Sequence, residues 1–195
     1  MPAAGTTPSG RAIAAVAAIA FLFGVGTPLH AEPPNVEALA GVYKRSFQNG
    51  NIDGDVYRTE DVLEVVRLSP ATAYFRAHLE FYNGHLCSIW GVVERTESDW
   101  VYRGPPSYLG KSCILHLKIA GGKIVFDDEA QTCRELTCGA RGMYSSSAKL
   151  PVVYFDRSSR RRIRYMETLR ASWQYAEAIA EYAARTSTAP AKSAP

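Results

Sequence analysis

The chain has 195 residues, with 22 Lys and Arg against 19 Asp and Glu and a formal net charge of +3. That balance excludes a nucleic-acid- or membrane-binding surface spread over the whole molecule, so any electrostatic recognition has to be local. A hydrophobic content of 47% over about one domain's length excludes both a wholly disordered chain and a miniprotein held only by disulfides.

Arg11 is the only charge in the first 31 residues. It precedes an apolar run over 12–25, and Pro28-Leu29-His30-Ala31 then supplies a small residue for cleavage. A basic start, a short apolar run and a small terminal residue predict a signal peptide over 1–31. The run is shorter than the roughly 20 apolar residues that cross a bilayer. The expected mature protein is therefore periplasmic or secreted, does not span a membrane, and keeps a net charge of +2 once the single leader arginine is subtracted from +3. Residues 32–185 are expected to form one domain, followed by a Thr/Ser/Ala/Pro-rich disordered tail over 186–195.

Residues 36–48 have a broken helical character, with Gly41 as the interruption. The next twelve residues, from Asn49 to Glu60, place Asn49, Asn51 and Asp53 at positions 1, 3 and 5, Gly54 at 6 and a Glu at 12. That spacing resembles an EF-hand calcium loop, which implies calcium held by Asn49, Asn51, Asp53, Asp55 and Glu60. Asn49 stands where Asp is usual, and 61–68 reads as a strand rather than an exiting helix. A polar turn between strands is the competing reading.

From 61 to 128 the alternation is that of strands. Runs over 62–68 and 72–82 flank a Ser69-Pro70-Ala71 turn, and Asn83-Gly84 predicts a two-residue hairpin with Tyr82 opposite His85. That register puts Phe75, Ala77, Leu79 and Phe81 on a core face with Leu86, Trp90 and Val92. His78, Glu80, His85 and Cys87 fall on the wetter face. Further hairpins turn at 96–99 and at Gly121-Gly122, and 151–155 supplies a last strand. The predicted fold is mainly β: an antiparallel up-and-down meander closing into a small barrel, or alternatively a two-sheet sandwich, with a C-terminal α-helix.

Cys87, Cys113, Cys133 and Cys138 make an even count in a chain expected to be exported, which predicts two disulfides. The absence of paired C-x2-C spacing argues against zinc. Because the register aims Cys87 and Cys113 at opposite faces, Cys87–Cys138 with Cys113–Cys133 is the favoured pairing.

After Asp156 the period becomes helical. Ile163, Met166, Leu169, Trp173, Ala176, Ile179, Ala180 and Ala183 form one apolar stripe, predicting a helix packed on the barrel. Arg157, Arg160, Arg161, Arg162 and Arg164 crowd its start, where the macrodipole prefers acids, so these charges are expected to serve an anionic partner. Arg141, at the tip of a loop pinned by Cys133 and Cys138, is the other candidate binding residue. His78, Glu80 and His85 could support hydrolytic chemistry only if a third element drew them together.

Leu79-Glu80-Phe81-Tyr82-Asn83-Gly84-His85-Leu86-Cys87 and Cys138-Gly139-Ala140-Arg141-Gly142 resemble strings in small exported bacterial proteins. Leu39-Ala40-Gly41-Val42-Tyr43 is similar to the Gly-x-aromatic start of calycin barrels, with Tyr43 in the place of Trp. That resemblance implies a barrel fold and no particular site. The combined expectation is a non-catalytic binding protein, such as an inhibitor or adaptor of an envelope or extracellular protein like a lysozyme-type hydrolase. Its partner would be an acidic protein or another anionic envelope component. A lipid-like small-molecule carrier and a small hydrolase are the alternatives.

Overall fold

The computed structural model describes residues 35–128, 130–145 and 153–187. The expected leader over 1–31 lies outside them, as do 151 and 152 of the expected last strand. A four-residue helix, α1 (Val36–Leu39), leads into β1 (Gly41–Gly50), β2 (Val56–Arg67), β3 (Thr72–Phe81) and β4 (His85–Arg95). There follow β5 (Trp100–Pro106), β6 (Ser112–Ala120), β7 (Lys123–Asp127), helix α2 (Thr132–Thr137) and β8 (Tyr154–Asp156). Two helices end the described chain, α3 (Met166–Arg170) and α4 (Trp173–Ser187).

The eight strands form one antiparallel sheet in the order β1 to β8, the up-and-down meander that the turn spacing predicts. β1 and β8 come together without joining the ladder, so the barrel is nearly closed rather than complete.

The interior is solid. Tyr43, Phe75, Trp100, Leu115, Phe126 and Phe155 are all essentially inaccessible and belong to one apolar cluster. Val36 and Leu39 of α1 plug the end where β1 begins, and the Tyr43 hydroxyl donates to the Leu39 carbonyl at 2.7 Å. A second cluster lies outside the wall. There Val42, Val66, Tyr74 and Val92 meet Ile163, Leu169 and Ala178 from the C-terminal segment.

The β3–β4 connection differs from the expected two-residue turn. Phe81 pairs with His85, leaving Tyr82, Asn83 and Gly84 as a three-residue loop in which Asn83 (φ 61°) and Gly84 (φ 70°) take positive φ. Asn-Gly does supply the left-handed backbone, but one residue later in a longer loop. Because strand side chains alternate, this one-residue slip exchanges the faces of β4. Cys87, Ile89, Gly91 and Val93 point inward, and Leu86 is 40% exposed. Cys87 is thus buried rather than on the wet face.

The disulfides are nevertheless Cys87–Cys138 and Cys113–Cys133. The reason is α2, which lies between β4 and β6 and carries one partner near each end. Two disulfides point to an oxidising folding environment.

β1 and the first half of β2 are the other departures. Residues 36–48 are a single helical turn and then a strand, in which Tyr43, Arg45, Phe47 and Asn49 alternate inward with exposed Lys44, Ser46 and Gln48 outward. The C-terminal helix is broken at Ala171-Ser172. The break shifts its buried stripe to Tyr175, Ala178, Ile179 and Tyr182, leaving Trp173 62% exposed and Ala176, Ala180 and Ala183 in solvent. α4 continues to Ser187, two residues into the expected tail.

The wall also has a break. β4 and β5 pair only through Val93–Tyr102, Glu94–Val101 and Arg95–Trp100, after which β5 leaves β4 while staying with β6. Pro105 and Pro106 in the departing stretch carry no N–H to continue the ladder. α2, bonded covalently to both β4 and β6, spans the inner side of this break, and α4 packs on β4 outside it.

Candidate functional sites

The arginine segment does not begin a helix. Asp156 caps a short turn over Arg157–Ser159, accepting from the Ser158 N–H at 2.9 Å and from its hydroxyl at 2.8 Å. Arg161 then exchanges two backbone hydrogen bonds with Val42, both 2.9 Å, which fastens the segment to the start of β1. The expected conflict with a helix macrodipole is therefore absent, since α3 starts only at Met166. Arg160 donates to the Glu37 carbonyl at 2.9 Å, and its stem lies on Gly41, where a Cβ would stand 2.8 Å from the Arg160 Cγ. Glu37 also pairs with Arg67.

Between these elements lies a cleft of about 670 Å³. Val65, Val66, Ile163 and Met166 line part of it, and Arg67, Arg160, Arg161, Arg162 and Arg170 surround them. The side chains of Arg161, Arg162 and Arg170, like that of nearby Arg164, are exposed and make no hydrogen bond or ion pair among the described residues.

Arg141 belongs to the opposite end of the barrel. Its guanidinium lies 5.3 Å from the Tyr82 ring centroid, and the Tyr82 hydroxyl donates to the Asn51 carbonyl at 2.6 Å. The loop carrying it is fixed to β4 by the Gly139 N–H bond to the Leu86 carbonyl (2.7 Å) and by Arg134, whose Nε donates to the Gly142 carbonyl (2.9 Å). The arginine cleft adjoins Gly41, whereas Arg141 adjoins the turn after Gly50. Ten strand residues, roughly 30 Å at about 3.3 Å each, separate the two ends. The structure does not bring Arg141 and the arginine segment onto one surface.

The residues of the expected calcium loop serve a hairpin instead. Gly50 pairs with Val56, and both flanks are strands. Asn51 organises the turn: its Oδ1 accepts the N–H groups of Asp53 (3.1 Å) and Asp55 (2.9 Å), and its amide donates to the Asp55 carboxylate at 2.9 Å. Asn49 turns its amide to the Phe81 carbonyl at 3.0 Å, and Glu60, down the strand opposite Ser46, pairs with Lys44. Among the described residues, no three His, Cys, Asp or Glu side chains are grouped as metal ligands.

His78 and His85 are on opposite faces, because His78 pairs with Ser88 while His85 sits opposite inward-facing Phe81. His78 contacts Glu80 at 3.0 Å, but His85 packs beside Gly139, so the three expected partners are not assembled.

Two arrangements escaped the sequence reading. On the outer wall, Glu64 is 2% exposed, accepts from the Tyr165 hydroxyl at 2.6 Å and pairs with Arg76. Burial, together with the bond to Glu64, pushes the Tyr165 phenol up to about 12. Their sequence separation of 101 residues leaves no local signal. Inside, buried Asp61 accepts from Arg45 and from the Glu80 N–H (2.8 Å), yet burial still raises its carboxyl above the ordinary value.

At the wall break, Glu177 and Glu181 project from α4 towards Tyr102. Their four-residue spacing on a helix was a visible like-charge pair. Glu177 accepts from the Trp90 indole N–H at 2.7 Å, while burial and then Glu177 raise the Glu181 carboxyl. No described helix is long and apolar enough to cross a membrane. Comparison with protein-family models, curated proteins and solved structures finds no match to this chain.

Proposed function

We propose that this chain is an exported, non-catalytic binding protein whose arginine cleft takes a carboxylate-rich surface of a partner protein. The observation that carries the reading is the set of four exposed guanidinium groups, on Arg161, Arg162, Arg164 and Arg170, without a carboxylate among the described residues. Guanidinium forks match carboxylates two bonds at a time, and the apolar side chains between them favour a protein surface over a bare ion. The same positive field speeds encounter with an acidic partner and weakens with salt. Two disulfides fit an extracytoplasmic location.

The test is affinity capture from the native extracytoplasmic fraction with oxidised wild type and a variant carrying Gln at Arg161, Arg162, Arg164 and Arg170. An acidic protein retained by wild type, released by salt and lost with the variant is the expected result. Equal retention by both forms would sink the proposal. Arg141→Ala, at the far end of the barrel, is expected to leave capture unchanged.

A further inference from the structure

The break between β4 and β5 opens two adjoining clefts of about 420 and 410 Å³. Tyr102, Gly104, Pro105 and Glu181 line both. Tyr102 starts from the interior cluster, and its ring lies across Gly91. Its hydroxyl reaches the clefts beside Gly104, where a Cβ would stand 2.9 Å from the hydroxyl oxygen. Only 9% of Tyr102 is exposed, yet this hydroxyl has no hydrogen-bond partner among the described residues. A phenol whose ring is fixed in the wall and whose hydroxyl opens on a cleft without a protein partner is a group that a ligand can bond.

Glu181, on the facing wall, also lacks a hydrogen bond or ion pair among the described residues. Glu177 beside it is occupied by the Trp90 indole, and Arg185 pairs with Glu94. Burial and the neighbouring carboxylate raise the Glu181 carboxyl, as expected of an acid without a counter-cation. Aromatic rings complete the walls, Trp90 and Tyr108 in one cleft and Tyr182 in the other.

We propose that the β4–β5 break is a binding site for an organic ammonium ion on an apolar body. The Glu181 carboxylate is its counter-charge, the Tyr102 hydroxyl oxygen accepts an ammonium N–H, and the aromatic walls take the apolar part. Arg103 and Arg185 line the cleft beside Tyr182, so the ammonium belongs in the cleft beside Trp90 and Tyr108, whose lining holds Glu177 and Glu181 and no Lys or Arg, and where an anion would meet only like charge. A neutral apolar ligand would cover a carboxylate without pairing it, which is costly. A bare divalent ion needs several oxygen ligands, and no such group exists among the described residues. An ammonium also gains from the faces of aromatic rings.

The site is tested by calorimetric titration of the oxidised protein with hexylammonium and, separately, with hexanol, following Trp fluorescence in parallel. Hexylammonium is expected to bind saturably, and hexanol to bind about tenfold more weakly or not at all. Glu181→Gln should weaken hexylammonium binding by about tenfold or more, and Tyr102→Phe by severalfold. Arg162→Gln, in the arginine cleft, should leave it unchanged. Circular dichroism checks that each variant is folded, and Tyr102→Phe retains the ring that fills the wall. Absence of saturable binding would overturn the proposal. So would equal binding of hexanol, or hexylammonium affinity unaltered by Glu181→Gln and Tyr102→Phe.

Discussion

Among the described glycines, Gly91 would bring a Cβ into the shortest contact, and Gly91→Ala tests how the β4–β5 break is filled. Across the ladder it faces Phe75, and over it lies the Tyr102 ring, 5.4 Å from Phe75 between centroids. A Cβ at Gly91 would stand 2.1 Å from the Tyr102 Cε2 and 2.6 Å from its Cδ2. Retreat is limited on one side, because the hydroxyl end of the ring already abuts Gly104. Alanine is intrinsically favoured over glycine within a strand by roughly 0.5–1 kcal/mol, so backbone preference alone would make the substitution stabilising. Overpacking opposes it, and a net loss of about 2 kcal/mol is expected. Urea unfolding of the oxidised protein measures it. The decisive comparison repeats Gly91→Ala in a Tyr102→Ala background, which itself costs about 3–5 kcal/mol by leaving a cavity. With the ring gone, Gly91→Ala should become neutral or stabilising, giving a coupling of about 2–3 kcal/mol between the two sites. An equal cost in both backgrounds would refute the assignment of Tyr102 as the filler of the break.

Because the Glu181 carboxyl is raised in the fold, its neutral form is favoured there; its contribution is complete below the ordinary glutamate range and is lost as pH rises through the raised value. Glu181→Gln should therefore raise the Tm at pH 7 by the equivalent of about a few tenths of a kcal/mol, and the gain should vanish below about pH 4 in thermal scans. Arg76→Met should cost about 2–3 kcal/mol at pH 7 by stranding the Glu64 carboxylate. Urea unfolding should show a smaller cost for the same substitution in a Glu64→Gln background, and an equal cost in both backgrounds would argue that the pair contributes by packing alone. Replacing Cys113 and Cys133 by Ala, or Cys87 and Cys138, should cost about 3 and about 4 kcal/mol for loops of 20 and 51 residues. Since the first loop is nested in the second, each bridge contributes less while the other is intact, and the quadruple variant should lose slightly more than the sum of the two double variants.

The hairpins were legible where alternation and turn chemistry agreed. Leu117 faces Phe126 and Ile119 faces Ile124 around Gly121-Gly122, as their spacing predicts. At Asn83-Gly84 the turn residues were equally clear, but two- and three-residue loops both accept them. The choice falls to the interior, which needs Gly91 under the Tyr102 ring and Ile89 and Val93 facing inward. Cys87 pairs with Cys138 as expected, although Cys87 faces the interior like Cys113 and not the opposite side. Residues 41–50 were masked as a strand because Arg45 occupies an inward position, paired with Asp61 on the neighbouring strand. No sequence-local rule anticipates that partnership.

Composition, turn residues and periodicity by themselves determined a β meander with two disulfides and a C-terminal helical segment, because those signals act over a few neighbouring residues. Tertiary structure decided the register of β4, the placement of Arg141 and the arginine segment at opposite ends, and the break where Tyr102 meets Glu181. Each depends on which distant side chains share a wall. A one-residue change in loop length or the departure of one strand alters that grouping while leaving the local pattern intact.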